Sequence, residues 1–280
     1  MKKALSFLLL PILAINLVMA LLLVCCAYSP MLPAEKMPLL SLAGLAFPFV
    51  LVANVLFLFF WLFVYRRYLW LPIITLLACS VPIYTFFPIN FNQQDTPKNS
   101  LKVLSYNILS SNILSIKVDK DNPVINYLEA ADADIICLQE VYFSFLKKHK
   151  NLLTQYPYKS YLVSKENDEA ANCLACLSKH PILSVDKLKF KGTTNGCSKY
   201  RILYEGDTIV VYNCHLQSNG MNHEDKSTYE QILSNPKNNI RSKDTKELMQ
   251  KLRDSAAKRA SQADIISADL KKETSPYIIV

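Results

Sequence analysis

Three apolar runs in the second half of the chain each end on a polar residue that could do chemistry. Leu101-Lys-Val-Leu-Ser-Tyr-Asn107 ends on an amide, Asp134-Ile-Ile-Cys-Leu-Gln-Glu140 on a carboxylate, and Ile209-Val-Val-Tyr-Asn-Cys-His215 on an imidazole. A fourth run, Tyr277-Ile-Ile-Val280, closes the sequence. Glu140 follows a stretch with the character of a buried strand, where an unpaired charge is costly. A hard cation such as Mg²⁺ would relieve that cost; so would the exposed start of a following helix, where the dipole favours an acid. Asn107 suits a turn or an oxygen ligand to a metal or phosphate. His215 suits a hydrogen-bonded core imidazole, a donor to a phosphoryl oxygen, or a proton carrier.

The elements that must position these residues alternate. Strands are expected at 101–107, 134–138, 173–178, 201–204, 209–215 and 277–280, from their β-branched and aromatic content. Ligands in open α/β sheets bind beyond the carboxyl ends of the strands, where all three polar residues fall. Helices are expected from Pro123 to about Ala131, with proline at a favoured early position, and from Tyr142 to Leu153. A third is expected from Lys243 to about Leu270, where Leu248, Leu252, Ala256, Ala260 and Ala263 recur at three- and four-residue spacing. Glu205-Gly-Asp-Thr between two β-rich runs is a hairpin signal, which makes the sheet mixed rather than parallel. The polar stretch from Asn219 to Ile240 reads as a long loop.

The first 90 residues are of another kind. Ala4–Ala27, Leu39–Val64 and Tyr68–Ile89 contain no Asp, Glu, Lys or Arg. Each reaches the roughly 20 residues a helix needs to cross about 30 Å of hydrocarbon. Three transmembrane helices are therefore expected (about 4–27, 39–64 and 68–89), anchoring the chain in a lipid bilayer. A polar linker at 91–100 and a domain at 101–280 follow. Lys2 and Lys3 before the first span, and Arg66 and Arg67 between the second and third, mark the cytoplasmic side. The expectation is a multi-pass protein of the cytoplasmic membrane with its domain on the extracytoplasmic side.

The net charge of +8 divides by region, and residues 91–280 carry only a small basic excess. That excess neither requires nor excludes a nucleic-acid or anionic-lipid partner. Of eight cysteines, Cys25, Cys26 and Cys79 fall in the spans, leaving an odd, irregularly spaced set in the domain that is no disulfide framework. Cys173 and Cys176 form a C-x-x-C, which invites a redox or zinc reading. Their apolar setting reads as a buried strand.

Leu104-Ser-Tyr-Asn107, Asp134-Ile-Ile-Cys-Leu-Gln-Glu140 and Val211-Tyr-Asn-Cys-His-Leu-Gln-Ser218 resemble motifs of the endonuclease/exonuclease/phosphatase superfamily. DNase-I-like nucleases, neutral sphingomyelinases and inositol polyphosphate phosphatases belong to it; the resemblance here is to a bacterial, membrane-anchored type. Leu177-Ser-Lys-His-Pro-Ile182 and Lys258-Arg-Ala-Ser-Gln-Ala-Asp264 resemble two further segments, and the similarity spans 101–280. The resemblance implies a four-layer α/β sandwich with mixed sheets, hydrolysing phosphoester bonds with Mg²⁺ or Mn²⁺. Glu140 would be the principal metal ligand, Asn107 would assist at the metal and phosphate, and His215 would be the catalytic group contacting the phosphate. The substrate could be a phospholipid head group, nucleic acid or a small phosphoester; no protein partner is inferred. The resemblance also implies a Gly-Asp-Phe-Asn motif directly after residues 276–280 and a later Ser-Asp-His motif, neither of which the sequence contains. On that basis a C-terminally truncated, inactive and poorly stable domain is expected. The alternative is a non-catalytic, membrane-tethered relic that binds phosphate or metal.

Overall fold

The computed structural model describes residues 2–33, 37, 40, 42–89, 100–109, 123–142, 153–163, 172–193, 195–235 and 242–280. The chain forms two compact units, one of residues 1–94 and 219–260, the other of 95–218 and 261–280.

In the first unit, helices α1 (Lys2–Tyr28) and α2 (Phe47–Val64) are apolar on almost every face. Leu23, Cys26 and Ala27 of α1 pack with Phe47 and Leu51 of α2 and with Cys79. Two polar bonds join these helices: the Trp61 indole donates to Asn16 Oδ1 at 2.8 Å, and Asn54 Nδ2 donates to the Met19 carbonyl at 3.0 Å. By length and composition, two helical stretches among the described residues, Leu9–Met31 and Leu42–Val64, can cross a membrane, or three if the bent pair Arg66–Ala78 and Ser80–Phe86 is one span.

The expected third span is not one straight helix. It is α3 (Trp70–Ala78) followed by α4 (Ser80–Phe86), bent by 58° at Cys79. Pro82 explains the break, because it has no N–H for the Ala78 carbonyl and its ring crowds that oxygen. The Tyr28 hydroxyl donates to the same carbonyl in place of the missing amide.

The second unit carries two four-stranded mixed sheets. β1 (Val103–Asn107) runs parallel to β2 (Ile135–Tyr142), which pairs antiparallel with β4 (Asn172–Ser178), and β4 with β3 (Tyr158–Val163). The other sheet has the order β5 (Ile182–Lys189), β6 (Gly196–Tyr204), β7 (Asp207–His215), β8 (Tyr277–Ile279), antiparallel except for β7 with β8. Helix α5 (Pro123–Ala131) places Ile125 and Leu128 against Ile136, Leu138, Ala175 and Leu177. On the other faces of these strands, Ile135, Cys137 and Cys176 meet Tyr200, Ile202 and Val211. The period-2 alternation of a strand makes both packings possible at once.

Between β7 and β8 lie α6 (His223–Ser234) and α7 (Lys243–Leu270). Ile266 and Leu270 of α7 pack with Phe190, Val210 and Tyr212. Lys199 reaches Asp269 at 2.8 Å and Glu273 at 2.9 Å, while Arg201 reaches Glu273 at 2.8 Å and the Tyr212 hydroxyl donates to Asp269. The loop expected over 219–240 contains α6. Its polar composition hides a capping box, in which Asn222 Oδ1 accepts from the Asp225 amide and Asp225 Oδ2 from the Asn222 amide. The helix expected at 142–153 lies largely outside the described residues; Tyr142 itself ends β2.

Candidate active site

Because β1 and β2 are parallel, their carboxyl ends lie at the same edge of one sheet, with Asn107 opposite Gln139. β2 then breaks register with β4 between Leu138 and Val141, a bulge that leaves Gln139 and Glu140 unpaired on that side. Bulges re-aim side chains near sites. Here Glu140 takes a left-handed φ of 53°. For a residue with a Cβ that conformation costs roughly 1–2 kcal/mol.

The three expected site residues come together. Asn107 Nδ2 donates to Glu140 Oε1 at 2.9 Å, and His215 Nε2 lies 3.6 Å from the same oxygen. Asn107 Oδ1 accepts from the Leu109 amide at 3.0 Å, so the side chain is fixed from both ends. Glu140 and His215 are both part-exposed, and among the described residues no Lys or Arg pairs with Glu140. That donor set suits a hard cation in kind: a carboxylate that no fixed cation neutralises, with an amide beside it. Among the described residues no group of three or more His, Cys, Asp or Glu converges to hold a metal ion, at this site or elsewhere.

Beneath the three lies a polar layer that sequence reasoning missed. Gln139 Nε2 donates to Asn213 Oδ1 at 2.7 Å and to Ser105 Oγ at 3.1 Å. Asn213 Nδ2 donates at 3.1 Å to the carbonyls of Leu138 and Ala175, the last paired residues before the bulge. Asn213 and His215 share one face of β7 by the alternation of the strand. One fully buried amide therefore links the strand carrying His215 to the bulge carrying Glu140. The available signal was a Gln and an Asn set inside apolar runs.

Other candidates separate. Cys173 and Cys176 fall on opposite faces of β4, one packed against α5 and the other between the sheets. Burial pushes the Cys173 thiol up to about 12. Asp225 is held by Lys251 at 2.8 Å and by the Asn222 amide, which keep its carboxyl below the usual range.

A profile of the endonuclease/exonuclease/phosphatase family matches residues 104–266, more than half of the chain. The chain belongs to this family. Residues 6–86 match a separate domain of unknown function. No curated protein matches the chain. Among solved structures, likeness extends to SmcL (19% identity, 65% of this chain and 62% of that one, TM-score 0.40). It extends also to a humanized D. rerio TDP2 (16%, 48% and 54%, 0.34) and to ANGEL2, a 2′,3′-cyclic phosphatase (20%, 47% and 45%, 0.35). The chain thus spans less than two thirds of each of these three structures.

Proposed function

We propose that the chain is a membrane-anchored phosphoesterase that uses a divalent cation, Mg²⁺ or Mn²⁺, held at Glu140. The observation that carries this reading is the convergence of Asn107 and His215 on one oxygen of Glu140. Residues 1–90 serve as the anchor, 91–100 as a linker and 101–280 as the phosphoesterase domain. Apolar clusters beneath α5, between the two sheets and beneath α7 support a four-layer arrangement of that domain.

In this reading Glu140 supplies the anionic ligand, and the Asn107 amide orients it. A cation bound there would act as a Lewis acid toward phosphoryl oxygens. His215 donates a hydrogen bond to a phosphoryl oxygen or carries a proton, at a position set through Asn213 and Gln139. Much of such a site's work is positioning and preorganised electrostatics. The substrate class is phosphoester: a phospholipid head group, nucleic acid or a small ester. With the bent α3–α4 pair taken as a third span after the two apolar helical stretches, the charges of Lys2, Lys3, Arg66 and Arg67 support an extracytoplasmic placement of the domain.

The test uses the full chain in detergent micelles with bis(p-nitrophenyl) phosphate, phospholipid and single-stranded DNA, plus Mn²⁺. Turnover should be lost on chelation and fall by about 10²-fold or more in E140Q. Mn²⁺ binding measured by electron paramagnetic resonance should weaken in the same variant. Turnover unchanged in E140Q sinks the assignment, and Mn²⁺ binding without turnover favours a binding module. A reporter fused after Ser100 that proves cytoplasmic refutes the placement.

A further inference from the structure

We propose that Cys197 and Cys214 are a redox site, a thiol pair that a small-molecule disulfide converts into a cross-strand disulfide joining β6 to β7. Their sulfurs lie 2.9 Å apart, and the residues are direct partners in the β6–β7 ladder. The backbone geometry favours the bond. The Cys214 amide donates to the Val280 carbonyl and the Val210 amide to that of Pro276, both on the β8 side. Alternate residues of β7 therefore spend their backbone bonds on β8, and Cys197–Cys214 is a non-hydrogen-bonded pair of β6–β7. In such pairs the Cα atoms approach to about 4.5 Å. Disulfides take Cα separations of about 4.4–6.8 Å, so the strands need not move apart or together to form one.

Access is one-sided. Cys197 is wholly buried among Phe190, Val210, Tyr212 and Ile266, whereas Cys214 is part-exposed. The hydrogen bond to Cys214, and then burial, hold the Cys197 thiol above its ordinary range, so it is the poorer first nucleophile. The Cys214 thiolate attacks one sulfur of the incoming disulfide, forming a mixed disulfide and expelling one thiolate. Cys197 then gives up its proton and attacks the Cys214 sulfur, forming the protein disulfide and expelling the second thiolate. The protein dithiol loses two electrons and two protons, and the reagent disulfide becomes two thiols.

A second pair shows why access matters. Cys137 and Cys176 are direct partners across β2 and β4, yet both are wholly buried between the sheets. Hydrogen bonding to Cys176, and then burial, raise the Cys137 thiol strongly. No small disulfide reaches them in the folded protein, and they remain thiols.

The experiment takes the full chain in detergent micelles, exposes it to oxidised glutathione, alkylates it under denaturing conditions and maps peptides by mass spectrometry. The expected result is a Cys197–Cys214 linked peptide lighter by two hydrogens, reversed by dithiothreitol. The oxidised form should melt roughly 5–10 °C above the reduced form, from loop-closure entropy removed from the unfolded chain. That difference should vanish in C197S and in C214S. Recovery of both cysteines as alkylated thiols overturns the proposal, as does a mixed disulfide at Cys214 that never resolves. A bond in another pair, Cys137–Cys176 included, without Cys197–Cys214 overturns it too. None of these readouts depends on catalysis.

Discussion

Replacing Asn213 with alanine tests whether one amide holds the two halves of the site together. The substitution removes three buried hydrogen bonds: two donated to Leu138 and Ala175 carbonyls and one accepted from Gln139. Gln139 keeps Ser105 and the Cys137 carbonyl as partners, so its amide is not stranded. The two carbonyls lose a donor in a place water does not reach. At about 1 kcal/mol net per bond, the loss should be about 3 kcal/mol. Asn213→Asp should cost more, since it keeps the acceptor but sets a carboxylate against two carbonyl oxygens. Both tryptophans, Trp61 and Trp70, lie in the N-terminal helices, so their fluorescence is a poor reporter of this domain. Pulse proteolysis in urea reads the domain directly, with the midpoint shift giving the loss at constant slope. A loss below about 1 kcal/mol in Asn213→Ala, or an aspartate variant more stable than the alanine one, refutes the clamp.

The Lys199 contact, acting against burial, holds the Glu273 carboxyl down at about 2, from an ordinary value of 4.5. A depressed carboxylate contributes stability above its unfolded pKa and loses it as pH falls through the folded one. Wild type should therefore lose more of its urea midpoint between pH 4.5 and about 2 than Glu273→Gln does; parallel curves would count against the pairing. Gly206 has φ of 92° in the β6–β7 turn, with open space where a Cβ would stand. Gly206→Ala should thus cost roughly 1–2 kcal/mol from backbone strain alone, measured by the same assay; no loss would mean the turn rearranges.

The sequence was most readable where one local rule governs the outcome. β7 and α7 follow from plain periodicity, and the Glu205-Gly206 turn forms the expected hairpin. The meeting of Asn107, Glu140 and His215 was legible because each ends an apolar run. β3 and β5 were missed because the lysines, serines and aspartate within them dilute the apolar signal. α6 was missed because its only buried side chain among the described residues is Asp225, so no apolar stripe marks it. The bulge at Glu140 and the Asn213 clamp depend on two strands far apart in sequence, which no local window contains. The Cys197–Cys214 pairing was latent, since the two cysteines are equally distant from the Glu205-Gly206 turn.

The pairing of β7 with β8 also sets an order of events during synthesis. β6 and β7 can close as a hairpin within microseconds of emerging. β8, which finishes their sheet, comes much later: it follows even Asp269, 57 residues beyond Tyr212, and Glu273, 72 beyond Arg201. At ribosomal speeds of roughly 5–20 residues per second, β7 waits several seconds with one backbone edge open. Its Ile209-Val-Val-Tyr212 segment is the kind of edge that recruits other chains. Nascent chains are thus most exposed to mispairing in that interval, before α7 and β8 arrive to cover the strand.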